Sequence, residues 1–125
     1  MFVGYTFFEF HPWFVCTMPD RDGQMVIVSA TDASKAFDLT CVIEPREHES
    51  ITKRSAVYYD LAVFRAVESF ERRLKHNTIQ PRAPASDALM TRIRQGAVDS
   101  PHTPREIRRA ILLCPWKPGS DIEGA

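Results

Sequence analysis

Trp13-Phe14-Val15-Cys16-Thr17, Met18-Pro19-Asp20-Arg21-Asp22-Gly23 and Met25-Val26-Ile27-Val28 follow one another almost without a gap, and their reading decides the fold. The outer runs are aromatic and β-branched, residues that suit a pleated surface, and the polar segment between them carries Pro and Gly at turn positions. Together they predict a hairpin. Upstream, Phe2 to Phe10 has the same character and is separated from Trp13 by a break at Pro12, which predicts a preceding strand. Downstream, Asp32 to Asp38 is polar, Leu39-Thr40-Cys41-Val42-Ile43 is a short β-type run, and Glu44 to Ser50 closes it with charge and Pro45. Ser55 to Phe64 sets Val57, Tyr59, Leu61 and Val63 against Ala56, Tyr58, Asp60 and Ala62, apolar enough on both faces for a single covered strand.

Past residue 64 the period changes. Val67, Phe70 and Leu74 recur at three and four among charged residues, the pattern of an amphipathic helix, with Asn77 as its stop. The stretch from Pro81 to Pro84 reads as a break. Ser86 is placed to cap a second helix carrying Leu89, Met90, Ile93 and Val98, and Thr103-Pro104-Arg105-Glu106 reads as a capping box opening a third through Ile107, Ala110, Ile111 and Leu112. Short strands followed by gathered helices predict an α+β fold, most simply a small, partly closed β-barrel over residues 1–64 with the helices of residues 65–116 packed on one side, and a mobile tail over 117–125.

The chain has 125 residues, 44% of them hydrophobic and 26% charged, which fits one packed domain and excludes two. Its net charge is zero, so global electrostatics argue for no polyanion. Residues 1–60 nevertheless hold five basic against nine acidic residues, and residues 61–125 hold eleven against seven. That excess is either a solvated helix surface or, through Arg72, Arg73, Arg105, Arg108 and Arg109, a polyanion-binding one. Cys16, Cys41 and Cys114 lie far apart in apolar surroundings and read as reduced core thiols. With no apolar run long enough for a membrane span, a cytoplasmic protein without membrane contact is expected.

Motifs for nucleotide, dinucleotide and zinc-protease chemistry are absent, and His11, His48, His76 and His102 have no ligand spacing, so neither metal nor cofactor is expected. His11, between Phe10 and Pro12, is either an imidazole bent into a cleft or a hydrogen-bonded strand end. His48, between Glu47 and Glu49, is either a general acid or an exposed loop residue. Thr31 follows an apolar strand and either presents a hydroxyl at the sheet rim or caps a turn. Lys53, Arg54 and Ser55 offer two cations and a hydroxyl suited to a phosphate, or form an exposed turn. The aromatics Phe7, Phe8, Trp13, Tyr58 and Tyr59 either stack bases or fill the core.

The succession His11-Pro12-Trp13-Phe14-Val15-Cys16-Thr17, Met25-Val26-Ile27-Val28-Ser29-Ala30-Thr31, Leu39-Thr40-Cys41-Val42-Ile43 and Ser55-Ala56-Val57-Tyr58-Tyr59-Asp60 resembles the barrel of MazF/PemK-like toxins. The resemblance implies an SH3-like barrel, a homodimer, neutralisation by a protein antitoxin, and metal-independent cleavage of single-stranded RNA. The family's Arg before Pro falls on His11, and its hydroxyl after the second strand falls on Thr31. On this reading His11, Thr31 and His48 are the catalytic residues, and Lys53, Arg54 and Ser55 hold RNA phosphate. The alternative keeps the barrel as a non-catalytic module that binds a protein partner or nucleic acid.

Overall fold

The structure, a computed structural model, describes residues 3–117, so the expected tail falls, apart from Lys117, outside the described residues. Among the described residues there are seven antiparallel strands and three α-helices: β1 (Thr6–Glu9), β2 (His11–Val15), β3 (Gln24–Asp32), β4 (Val42–Ile43), β5 (Ser55–Val57), β6 (Val63–Ala66), α1 (Val67–Lys75), β7 (Gln80–Arg82), α2 (Asp87–Asp99) and α3 (Arg105–Leu113). The α+β class and the β2–β3 hairpin are as the sequence predicts. None of the described helices is long and apolar enough to cross a membrane.

β3 is the spine. It pairs with β2 through Trp13↔Ser29 to Val15↔Ile27, while along its opposite edge it pairs first with β6, from Gln24↔Ala66 to Ile27↔Val63, and then with β5, from Ala30↔Val57 to Asp32↔Ser55. The continuous strand expected over Ser55 to Phe64 is therefore two strands. A short 3-10 turn at Tyr59–Leu61 separates them, because Tyr59 is drawn fully into the core, where its hydroxyl donates to the Ile93 carbonyl of α2 at 2.8 Å. Strands also continue past residue 64, in β6 and β7.

Met25, Val26, Ile27 and Val28 are all completely buried, which requires a cover on each face of the sheet. Val26 and Val28 pack with Phe14 against Leu89, Met90 and Ile93 of α2 and Ile107 and Ile111 of α3. Met25 and Ile27 pack on the other face with Phe7, Val15 and Phe70 of α1. The helices thus lie on both faces, correcting the expectation of one side. Asn77, in a left-handed conformation with φ 58°, follows α1, and the Ser86 hydroxyl caps α2 by accepting from the Leu89 N–H. The capping box at α3 does not form. The Thr103 backbone is committed to a turn with Ser100 and to Arg108, leaving Pro104 as the cap and the Thr103 hydroxyl buried without a hydrogen bond.

The strand order is β4-β5-β3-β2-β1-β7 with β6 beside β3, an open ladder where a barrel was expected. β7, read from sequence as a break, pairs with β1 despite Pro81, which an end strand tolerates because it has a free side. At the opposite end, Arg92 of α2 donates to the Val42 carbonyl of β4 and to Glu47. One side chain spans the gap between the two ends. His48, 7% exposed, follows the 3-10 turn Pro45–Glu47, and its Nε2 lies 2.6 Å from the Ala83 carbonyl beyond β7 and 3.3 Å from Thr6 Oγ1 of β1. Its Nδ1 accepts from the Ser50 N–H at 3.1 Å, so the hydrogen bonds assign the neutral tautomer with the proton on Nε2. Its ring packs edge-on against Phe14, 5.6 Å between centroids.

His48→Ala strands buried backbone groups and opens a cavity, so a loss of about 3 kcal/mol is expected in urea unfolding. Gly96→Ala is also destabilising, by about 2 kcal/mol, because its Cβ would collide with the Tyr59 hydroxyl oxygen. Since the ring carbon bearing that hydroxyl would still be 2.9 Å away, Tyr59→Phe should recover only part of the loss, as read by thermal unfolding of the double variant.

Candidate functional site

Where β3 ends, Asp32 turns the chain. Its carboxylate accepts from the Ser34 N–H at 2.9 Å and the Ser34 hydroxyl at 2.8 Å, and meets Lys53 Nζ at 3.0 Å. These bonds, the Ser34 N–H first and then Lys53, hold the Asp32 carboxyl down to about 2. The β3–β5 register sets Thr31 opposite Ala56 and Asp32 opposite Ser55, so Thr31, Lys53, Arg54 and Ser55 converge at this end of the sheet. Arg54 pairs with Glu44 at 3.3 Å, and the buried Ser55 hydroxyl donates to the Lys53 carbonyl. Lys53 and Arg54 are largely exposed.

Beyond the Asp32 turn stands Phe37, an aromatic ring 60% exposed yet held on two sides. It meets Tyr58 edge-on at 5.5 Å and the exposed His102, from the α2–α3 connection, edge-on at 4.8 Å. Thr31, Asp38 and Val57 border a small cleft beneath Phe37 and Tyr58. This face brings together an open ring, an imidazole and a hydroxyl, and Lys53 and Arg54 stand at the same end of the sheet on Asp32 and Glu44. It can stack a planar group and hold an anion beside it.

Of the two other nominated histidines, His48 lies elsewhere. His11 is exposed at the start of β2, across a one-residue reversal at Phe10, which has φ 65° and is 89% exposed. The β2–β3 ladder ends at Trp13↔Ser29, two residues short of His11 on one strand and of Thr31 on the other. His48 packs on Phe14, three residues and about 10 Å along β2 from His11. Both nitrogens of His48 are engaged, Nε2 across the gap and Nδ1 by the Ser50 N–H of its own loop. Of the nominated aromatics, Phe7 and Tyr59 are core residues, and Tyr58 belongs to the Phe37 face.

Phe37 and His102 were missed as a pair, since 64 intervening residues conceal their contact; the sequence signal was a lone aromatic in the otherwise polar Asp32 to Asp38 segment. The buried thiols Cys16 and Cys41 offer no nucleophile here: burial pushes Cys16 up to about 12 and raises Cys41 as well. Among the described residues, no three His, Cys, Asp or Glu side chains gather as a metal-binding group.

Because the folded Asp32 carboxyl titrates below its usual value near 3.9, its stabilising contribution is complete above about pH 4 and vanishes as pH falls toward 2. The stability gap between the parent and Asp32→Asn should close over that window in pH-dependent urea melts. No family model matches the chain, and no curated protein or solved structure matches it either.

Proposed function

We propose that the curled sheet, with His48 spanning its ends, is a small SH3-like barrel of the MazF/PemK type whose Phe37 face binds single-stranded RNA. The observation carrying this reading is that Phe37 is exposed but fixed, edge-on to both Tyr58 and His102. An ordered, open ring offers a base a stacking surface at little entropic cost, worth about 1–3 kcal/mol per base. Lys53 and Arg54 stand at the same end of the sheet in exposed ion pairs with Asp32 and Glu44, which contribute little to stability and can exchange a carboxylate for a phosphate. Thr31 supplies a hydroxyl, and unstacked bases make single strands the natural target.

A second reading, cleavage, rests on His102 standing in the same face near the Thr31 cleft. In metal-independent transesterification a base takes the proton of the 2′-OH, whose oxygen attacks the adjacent phosphorus. The P–O5′ bond breaks, an acid protonates the departing oxygen, and the products end in a 2′,3′-cyclic phosphate and a 5′-OH. With His48 committed to structural bonds, His102 takes the acid–base role on this reading. A protein antitoxin would then cover the Phe37 face of a cytoplasmic homodimer.

Fluorescence anisotropy with a labelled mixed-sequence single-stranded RNA at low salt tests the proposal. Phe37→Ala should weaken binding about tenfold, and Lys53→Ala with Arg54→Ala should flatten the salt dependence by about 1.4 log units per decade. Cleavage in excess chelator, lost in His102→Ala and leaving cyclic ends, would establish the second reading. A folded parent that neither binds nor cleaves RNA sinks both.

A further inference from the structure

The Phe37 face is assembled from two segments far apart in sequence, and one hydrogen-bond chain links them. Asp38, next to Phe37, is buried, and its carboxylate accepts from the Thr40 hydroxyl at 2.6 Å and the Thr40 N–H at 3.0 Å. Its other oxygen accepts from the Ser100 hydroxyl at 2.6 Å. Ser100, fully buried at the end of α2, then accepts from the backbone N–H of His102 itself at 3.1 Å. The chain therefore runs from the neighbour of one ring to the backbone of the other. Burial works against the Asp38 charge, but the hydrogen bonds from Ser100 and Thr40, with nearby His102, outweigh it and keep the carboxyl below its usual range.

We propose that Asp38 and Ser100 are positioning residues that set Phe37 against His102, and through that spacing set RNA affinity; the affinity part rests on the RNA reading above. Neither residue touches RNA. Each acts through the two rings, because the link ties the Phe37 loop to the α2–α3 connection right beside the edge-on ring contact.

Ser100→Ala and the near-isosteric Asp38→Asn, each checked for a native-like amide spectrum, test this by the NMR shifts of the His102 ring protons, which Phe37 displaces in the parent. Both variants should move those shifts toward unstructured histidine values and weaken RNA binding about tenfold, and neither should weaken it further in a Phe37→Ala background. Unmoved ring shifts in a folded Ser100→Ala protein would overturn the proposal, as would an undiminished tenfold loss in the Phe37→Ala background. Ring shifts that move in a protein whose parent binds no RNA would retain the positioning role and overturn its RNA consequence alone.

Discussion

A buried, neutral imidazole joins what the strand ladder leaves apart. β4 and β7 stand at opposite ends of the strand order, yet Nε2 of His48 bonds Ala83 beside β7 while its ring rests on Phe14 in the middle of the sheet. A side chain that must stay uncharged to accept from Ser50 and still donate to a carbonyl has one workable tautomer, and that fixes its orientation. The same loop also feeds the core: Ile43 and Ile51, flanking the loop that carries His48, belong to the same apolar cluster as Phe14, Val28 and residues of α2 and α3.

The same loop economy shapes the Phe37 face. β3 is long enough to serve two partner strands on one edge, and the turn at Asp32 that ends it also delivers Lys53 and the Phe37 loop to one place. Rigid strands thus present the groups while connections carry them, the usual division between scaffold and site. Polar groups do the joining here: Arg108 reaches the Val98, Ser100 and Thr103 carbonyls and fixes the connection holding His102.

Local chemistry made much of this legible. The β-branched runs give β2 and β3, the spacing of Val67, Phe70 and Leu74 gives α1, and Ser86 gives the start of α2, because each signal acts within a few residues. What could not be read was decided at long range. Tyr59 broke an alternating strand because its hydroxyl found Ile93, and Gln80–Arg82 became a strand, Pro81 notwithstanding, because β1 had an unpaired side. His48, flanked by glutamates, looked like a solvated loop residue; its burial is set by Thr6 and Ala83, 42 and 35 positions away. The candidate site followed the same rule: Thr31, Lys53 and Arg54 gather through strand register, whereas Phe37 and His102 meet only in the folded chain.

The two ladder ends share one more property. An extended chain arriving at β7 finds Pro81, which has no N–H to give, and one arriving at β4 finds the Val42 carbonyl already occupied by Arg92. End strands are where a foreign chain would add to start a polymer of sheets, and both are blunted by ordinary covalent and hydrogen-bonding means. The open ladder that stops short of closing therefore does not present, at either terminus, the template on which cross-β growth propagates through a concentrated solution.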